Sequence, residues 1–491
     1  MVRVRAGCLP IKIDSTSNGE FRPVPVTRTV AGAKALAAER IAANAKRAGV
    51  PRRAFLQSLC GAATTLLTLN EAFAAVRNQG GAFRVHPEGA FEPQAAAETL
   101  AGDGAFIFDV QTHMVDPAGQ WRRGRGKYWE EALANMPQGS CGEADPVDCF
   151  SADYFIREVF LDSDTDLAVL SFVPELPDDN PLSLEEAERT RVLVDALEGA
   201  RHRLLLHGMV VPNAGPEDYD PLQAMALAVE RWPIAAWKCY TQWGPQGVGW
   251  RLDDPEIGVP FIEQARRLGV RNICIHKGLS FSGFPREFAS CEDVGRAARL
   301  YPDMNFIIYH SGFEVDRPEG PYDPANAERG VDSLVKSVLD NGIAPNGNVY
   351  AELGSTWRFV MRDPTTAAHL LGKLLRHIGE DNVLWGTDSI WYGSPQDQIQ
   401  AFRSFQIADE LVERHGYPTL TPTLKSKVFG LNGARVYGVD PAEIRRKAET
   451  DAIGRRKAAY AERARPSFAT YGPKTAGEFE ALLAERGNLP A

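Results

Sequence analysis

Four short apolar runs in this chain each end on a residue able to bind a metal ion or carry a proton. They are Phe106-Ile-Phe-Asp-Val-Gln-Thr-His113, Asn272-Ile-Cys-Ile-His276, Asn305-Phe-Ile-Ile-Tyr-His310 and Asn382-Val-Leu-Trp-Gly-Thr-Asp388. In a parallel barrel the C-terminal strand ends converge on one pocket, so these side chains would meet there. A catalytic zinc-type site uses about three protein ligands and keeps a position open for water, whose pKa the ion lowers to about 7. His113, His276 and Asp388 can supply those ligands. His310 is then free as general acid or base, with Asp388 as a second proton carrier. Gln111, two residues before His113 and on the same strand face, stands where a second imidazole would complete a His-x-His pair. Its amide oxygen is a neutral, weaker ligand.

A single histidine at a strand end is more often a hydrogen-bonded core residue than a ligand. Three histidines and an aspartate at four strand ends are much harder to obtain without a shared site. His207 lies inside a strand, and His202, His369, His377 and His415 lie on helices or loops, so all five read as structural.

The elements that must position these residues follow from the pattern of apolar runs. Strands are expected at Phe106–Val110, Leu167–Val173, Leu204–Val211, Ile234–Trp237, Val270–Ile275, Phe306–Tyr309, Val349–Leu353 and Val383–Trp385. Most are apolar on both faces, as strands of a covered parallel sheet must be. Segments with apolar residues three and four apart lie between them, among them Ser183–Leu197, Pro221–Arg231, Val259–Leu268, Cys291–Leu300, Val331–Leu339 and Thr365–His377. Eight strands alternating with helices predict an α/β fold, a (β/α)8 TIM barrel over residues 105–440. No Gly-x-Gly-x-x-Gly follows the first strand, which argues against a doubly wound dinucleotide-binding sheet. A long insertion, 117–160, follows strand one and is expected over the catalytic face, and residues 441–491 read as a charged helical extension.

Residues 1–80 read differently. Basic residues, the run Pro51-Arg-Arg-Ala-Phe-Leu-Gln57, a weakly apolar stretch from Ala54 to Leu69 and Ala72-Phe-Ala74 have the layout of a secretory signal. The Arg52-Arg53-x-Phe55-Leu56 core resembles a twin-arginine signal, which implies a periplasmic or secreted protein; a basic tail ahead of an Ala-rich helix, in a cytoplasmic protein, is the alternative. Cys141 and Cys149 flank a Gly/Pro/Asp-rich loop and could pair in an oxidising compartment, whereas Cys239, Cys274 and Cys291 read as buried thiols. Of 491 residues 44% are hydrophobic and 24% charged, with net charge −10 and no basic stretch interleaved with aromatics, so nucleic acid is not expected as a partner. No apolar run is long enough for a transmembrane helix. The partner expected is a small molecule, and a homo-oligomer is compatible with the charged C-terminal helices.

With these motifs in place the chain resembles the amidohydrolase superfamily, and more narrowly the branch with the aminocarboxymuconate-semialdehyde and resorcylate decarboxylases. That branch opens with Asp-x-His-x-His, matched by Asp109, Gln111 and His113; it continues with His276, His310 and Gly386-Thr-Asp388. A closing Asn-x-Ala-Arg-x-x-Gly is matched by Asn432, Ala434, Arg435 and Gly438. The resemblance implies a divalent metal, zinc preferred over manganese or iron, held by His113, His276, Asp388 and Gln111. Lys238 corresponds to a lysine that is carboxylated in two-metal members; in the one-metal branch such a lysine contacts substrate or a structural carboxylate, the reading favoured here. Tyr240, Trp243, Trp357 and Trp391 follow strand ends and suggest an aromatic lining, with Lys238, Tyr240 and Trp391 the expected substrate contacts. Glu352 could orient a ligand histidine or form a core salt bridge. The activity expected first is metal-dependent hydrolysis of a small cyclic or aromatic ester, lactone or amide. The alternatives are non-oxidative decarboxylation of an aromatic acid and, more remotely, a metal-poor exported binding protein.

Overall fold

Eight parallel strands form one sheet in which every strand pairs with its sequence neighbours: β1 (Phe108–Thr112), β2 (Leu167–Leu170), β3 (Leu204–Met209), β4 (Ile234–Tyr240), β5 (Asn272–His276), β6 (Asn305–Tyr309), β7 (Val349–Glu352) and β8 (Val383–Leu384). The computed structural model describes residues 9–485 except 20, 79, 103, 199–202, 216–218, 282–283, 451 and 462–471, so Cys8 and His202 lie outside the described residues. The sheet closes on itself. Trp385 O accepts from Val110 N at 3.0 Å, Gln111 O from Asp388 N at 3.0 Å and Ser389 O from His113 N at 2.6 Å, and Thr112 bridges Ser389 in parallel. All eight expected strands are present, and the barrel is the expected (β/α)8 architecture. Strand β4 runs three residues further than expected, to Tyr240, because Trp-Lys-Cys-Tyr continues the alternation in which Trp237 and Cys239 face the surrounding core while Lys238 and Tyr240 do not.

Period-two alternation also layers the barrel interior. Val169, Ala236, Ile307 and Leu384 belong to one apolar cluster with Ala434 of the helix Asn432–Tyr437, which closes the N-terminal end. The same cluster includes Cys274 and Tyr309, which meet His207 around Tyr437, whose hydroxyl is 3.4 Å from Cys274 Sγ and 3.2 Å from His207 Nε2. His207 is therefore a structural member of the interior, as expected. The helices between strands occur close to the expected spans, with Pro221–Arg231 matching at both ends and Pro364–His377 starting one residue early. Each carries an aspartate cap, Asp220 or Asp363, accepting from two first-turn N–H groups, with proline in the first turn.

Four parts lie outside the strand–helix alternation. The insertion after β1 is a set of short helices that bury Trp121, Trp129 and Phe150, and its Cys141 and Cys149 are disulfide-bonded. A two-stranded antiparallel pair, Gly81–Phe83 with Phe405–Ile407, was not expected from sequence. The C-terminal part forms helices Pro441–Thr450, Ala452–Ala461 and Ala476–Glu485. In the segment expected as a leader, helix Arg28–Arg47 buries Val30, Ala33, Ala37 and Ile41, one stripe at spacings of three and four, and packs on helix Leu59–Ala75. No described helix is long and apolar enough to cross a membrane.

Ahead of those helices, residues 9–19 run as an extended strap that is almost wholly buried on the barrel's C-terminal face. Lys12 Nζ donates to Tyr392 O at 2.9 Å and Ser394 O at 2.8 Å and pairs with Asp397 at 3.4 Å. Arg358 reaches Asp14 Oδ1 at 3.2 Å and Thr16 O at 3.3 Å. The strap is also tied to the other end of the chain, because Ser15 Oγ donates to Lys474 O at 2.8 Å and Ser17 N to Pro473 O at 3.0 Å.

Candidate metal centre and active site

Asp388 is the hub of the barrel mouth. It follows β8 with φ +63°, a conformation rarely adopted by residues with a side chain, and the turn before it is pinned by Asp109. Asp109 Oδ1 accepts from Gln111 N at 3.1 Å and Thr387 N at 3.0 Å, and Oδ2 accepts from the Thr387 hydroxyl. Burial pushes the Asp109 carboxyl up to about 7. Asp388 Oδ1 accepts from Gln111 Nε2 at 2.9 Å and His113 Nε2 at 3.0 Å, and Oδ2 accepts from Ser355 Oγ at 2.6 Å. Burial alone would raise its pKa, but the His113 and Ser355 hydrogen bonds and nearby imidazoles overcome that, and Asp388 is held below the usual carboxylate range. It is the ionised group of the site.

The imidazoles are neutral and their tautomers follow from their partners. His310 Nδ1 lies 2.7 Å from Gly354 O and must donate to it, leaving Nε2 as an acceptor 3.2 Å from His276 Nδ1. His276 Nδ1 is then the protonated nitrogen, and its buried Nε2 carries a lone pair with no partner. Burial pushes His310 down to about 4, and His276 well below its ordinary value, the latter helped by His310 and Lys238. His113 is lowered by burial against the opposing pull of Asp388. Glu352 at the end of β7 fixes the turn that carries His310, accepting its backbone N–H at 3.0 Å and that of Gly354. Burial raises Glu352 to about 8. It acts on the backbone of His310 rather than on a ligand imidazole or on a core salt-bridge partner.

Four buried polar atoms at this mouth have no hydrogen-bond partner: Gln111 Oε1, His113 Nδ1, His276 Nε2 and Lys238 Nζ. Among the described residues no three His, Cys, Asp or Glu side chains stand together as a metal-holding group. The donor chemistry nonetheless fits a divalent ion. His113 and Gln111 both converge on Asp388 Oδ1, at 3.0 and 2.9 Å, and the Nδ1 of His113 is left without a partner. The unpartnered lone pairs of Gln111 Oε1 and His276 Nε2 are the remaining donors. His113, Asp388, His276 and Gln111 would hold such an ion, the amide of Gln111 presenting oxygen rather than nitrogen.

The remaining expected site residues fall on two sides of the mouth. Lys238 Nζ sits 3.9 Å from the ring centroid of Tyr309 and 4.5 Å from that of Tyr240. Burial lowers it to about 8, so it is a cation at neutral pH. Tyr240 lies 5.0 Å from the His276 ring, and Trp391 stacks on His113 at 4.9 Å. The insertion backs Trp391: Phe150 packs at 5.7 Å, and Trp391 O accepts from Gln138 N at 3.1 Å. Trp243 joins the cluster of Tyr240, Phe281 and Phe284. Trp357 is a correction: its indole donates to Gln398 O, and its ring packs on Phe402 and Phe405, away from the mouth. A large side chain following a strand end turned into the barrel–helix layer instead. Three residues of the site were not singled out by sequence: Ser355, Tyr392, whose hydroxyl is 3.2 Å from Ser355 Oγ, and Phe281, 5.0 Å from the His276 ring. All sit in loops without a periodic signal, although Tyr392 directly follows Trp391.

The model of the Amidohydrolase family matches residues 236–439, which span Lys238, His276, His310, Asp388 and Asn432 and leave Gln111 and His113 outside. No curated protein matches the chain. Among solved structures, 2,6-dihydroxybenzoate decarboxylase from Rhizobium is similar at 14% identity, covering 68% of this chain and 99% of that chain with a TM-score of 0.38. A putative 2-pyrone-4,6-dicarboxylic acid hydrolase from Pseudomonas putida is similar at 13% identity, covering 68% and 98%, with a TM-score of 0.39. A 5-carboxyvanillate decarboxylase from Novosphingobium aromaticivorans, solved with bound manganese, is similar at 12% identity, covering 68% and 98%, with a TM-score of 0.41.

Proposed function

We propose that this chain, whose residues 236–439 match the amidohydrolase family, is a metal-dependent hydrolase of a small cyclic or aromatic ester, lactone or amide. The observation that carries this reading is Asp388, a fully buried carboxylate kept ionised beside unpartnered ligand-type lone pairs. A divalent ion, zinc by preference, would supply an activated water and a positive charge for the oxygen that becomes negative during attack.

The chain's own groups do the rest. Asp388 takes the proton of the attacking water, because it is the anion of the site and its Oδ1 faces the mouth through His113 and Gln111. His310 holds His276 in the tautomer that leaves Nε2 bare, since its own Nδ1–H is committed to Gly354 O. Lys238 Nζ, a buried cation with no hydrogen-bond partner, binds an anionic group on the substrate. Trp391 and Tyr240 flank a planar ring and exclude water.

The same Lys238 favours a second reading, decarboxylation of an aromatic acid, in which it would grip the carboxylate to be lost. The test is metal analysis of the purified protein, followed by incubation with a lactone and ester panel and an aromatic-acid panel. Acid release from the first, dependent on Asp388, supports hydrolysis. Carbon dioxide release from the second supports the lyase reading, and a metal-free protein indifferent to His276→Ala overturns both.

A further inference from the structure

A cavity of about 520 Å³ lies beside the barrel mouth, and its walls come from widely separated parts of the chain. Phe21 to Pro25, just past the N-terminal strap, form one wall, and Ala476 of the last helix contributes a second. The loop after β5 supplies Phe281 and Phe284, and the loop after β6 supplies Val315. The cavity meets the candidate active site at Phe281, whose ring lies 5.0 Å from His276, 6.0 Å from Tyr240 and 6.1 Å from Phe284.

Its charges are paired among themselves. Arg22 is bound to Glu480 at 2.6 Å, and Arg286 to Asp316 at 3.3 Å and Glu314 at 3.6 Å. Beside these ion pairs and the unpartnered Ser280 hydroxyl, the lining is apolar and aromatic, in a volume within the range of sites for drug-sized ligands. The wall is fixed in place. Phe21 packs edge-on against Phe359 at 4.8 Å, and the strap before it is held by Lys12, Asp14 and Thr16 to the segments after β7 and β8.

We propose that residues 21–25, with Ala476, wall a substrate vestibule that receives the apolar distal part of a substrate whose polar ring reacts at Asp388. This deepens the reading of the barrel mouth and rests on it: the substrate class is an aromatic acid derivative bearing a second ring or comparable apolar group. The N-terminal strap is then a specificity element of the enzyme. The charged head of the substrate meets Lys238, and the uncharged remainder lies against Phe281, Phe284 and Val24.

The test compares two probes, 2-hydroxybenzoate and 2-hydroxy-5-phenylbenzoate, by titration calorimetry on the full chain, wild type and Val24→Trp, with Val24→Ala and thermal melts as controls for folding. The wild type is expected to bind the two-ring probe at least tenfold more tightly. Val24→Trp is expected to lower that preference tenfold or more, while Val24→Ala retains it. Equal binding of the two probes by the wild type, or equal effects of Val24→Trp on both, overturns the vestibule and leaves the barrel-mouth reading standing. Failure of the wild type to bind either probe overturns the aromatic-acid reading and the vestibule with it.

Discussion

Ser355 and Asp388 face each other across the barrel mouth, joined by a 2.6 Å hydrogen bond and both held at positive φ, +53° and +63°. Two non-glycine residues in this conformation cost of order 1–3 kcal/mol each, and the surrounding bonds must hold them there. Tyr392 OH, 3.2 Å from the same hydroxyl, links the pair to the residue whose carbonyl Lys12 grips. Ser355→Ala is therefore expected to lower kcat on whichever panel substrate is turned over by roughly 10- to 100-fold, the loss of one hydrogen bond to a buried charge. Ser355→Gly should show the same kinetic loss with a higher melting temperature than Ser355→Ala, because glycine relieves the backbone. Equal melting temperatures would refute the strain argument.

Gln111 supplies the second prediction. Replacing a weak amide donor by imidazole restores a His-x-His pair with His113, so Gln111→His should bind zinc roughly tenfold or more tightly. His276→Ala removes a bare lone pair and should weaken zinc binding by a comparable or larger factor. Competition against a chromogenic chelator measures both without needing a substrate. Unchanged affinity in both variants would remove Gln111 and His276 from the ligand set.

Lys238 gives a pH dependence. Burial depresses it to about 8, and the charged form is the one present below that value. Affinity for an anionic probe should hold steady from neutral pH up to about 8 and fall with further increase, about tenfold per pH unit. Lys238→Met should abolish that fall and weaken binding at neutral pH. An alkaline limb that persists in Lys238→Met would assign the titration to another group.

The fourth prediction concerns Lys12. Its ammonium is buried with two carbonyls and Asp397, so Lys12→Met leaves a buried carboxylate without its cation. Breaking such a pair costs about 3–5 kcal/mol, which chemical denaturation would register. The chain isolated from its cell is expected, by intact mass, to retain Leu9 to Pro25. A mature chain beginning near Val76 would lack the vestibule wall and count against its role.

How far the sequence carries can be seen residue by residue. The barrel was legible because parallel strands must be apolar on both faces, and a short two-faced apolar run such as Asn272–His276 or Val349–Glu352 suits few elements besides a covered strand. His113, His276, His310 and Asp388 were legible because each stands at the end of such a run. The geometry among them was not. That His310 is committed to Gly354 and His276, and that Asp388 is shared by Gln111 and His113, depends on loop conformations with no period. The strap was least legible of all. Ser15-Thr-Ser-Asn18 has the composition of a solvated tail, yet Thr16, Ser17 and Asn18 are buried, with Ser15 Oγ bonded to Lys474 O, Ser17 N to Pro473 O and Thr16 O to Arg358. Only the folded chain brings those partners together.

The vestibule draws one wall from residues 21–25 and another from Ala476. During synthesis the first wall leaves the ribosome hundreds of residues before the second, and before every strand of the barrel it must lie upon. The strap has to wait, its buried polar groups unmatched, until the segments after β7 and β8 and the Pro473–Lys474 stretch have been made. A chain truncated before Ala476 would therefore form the barrel with one wall of its entrance missing.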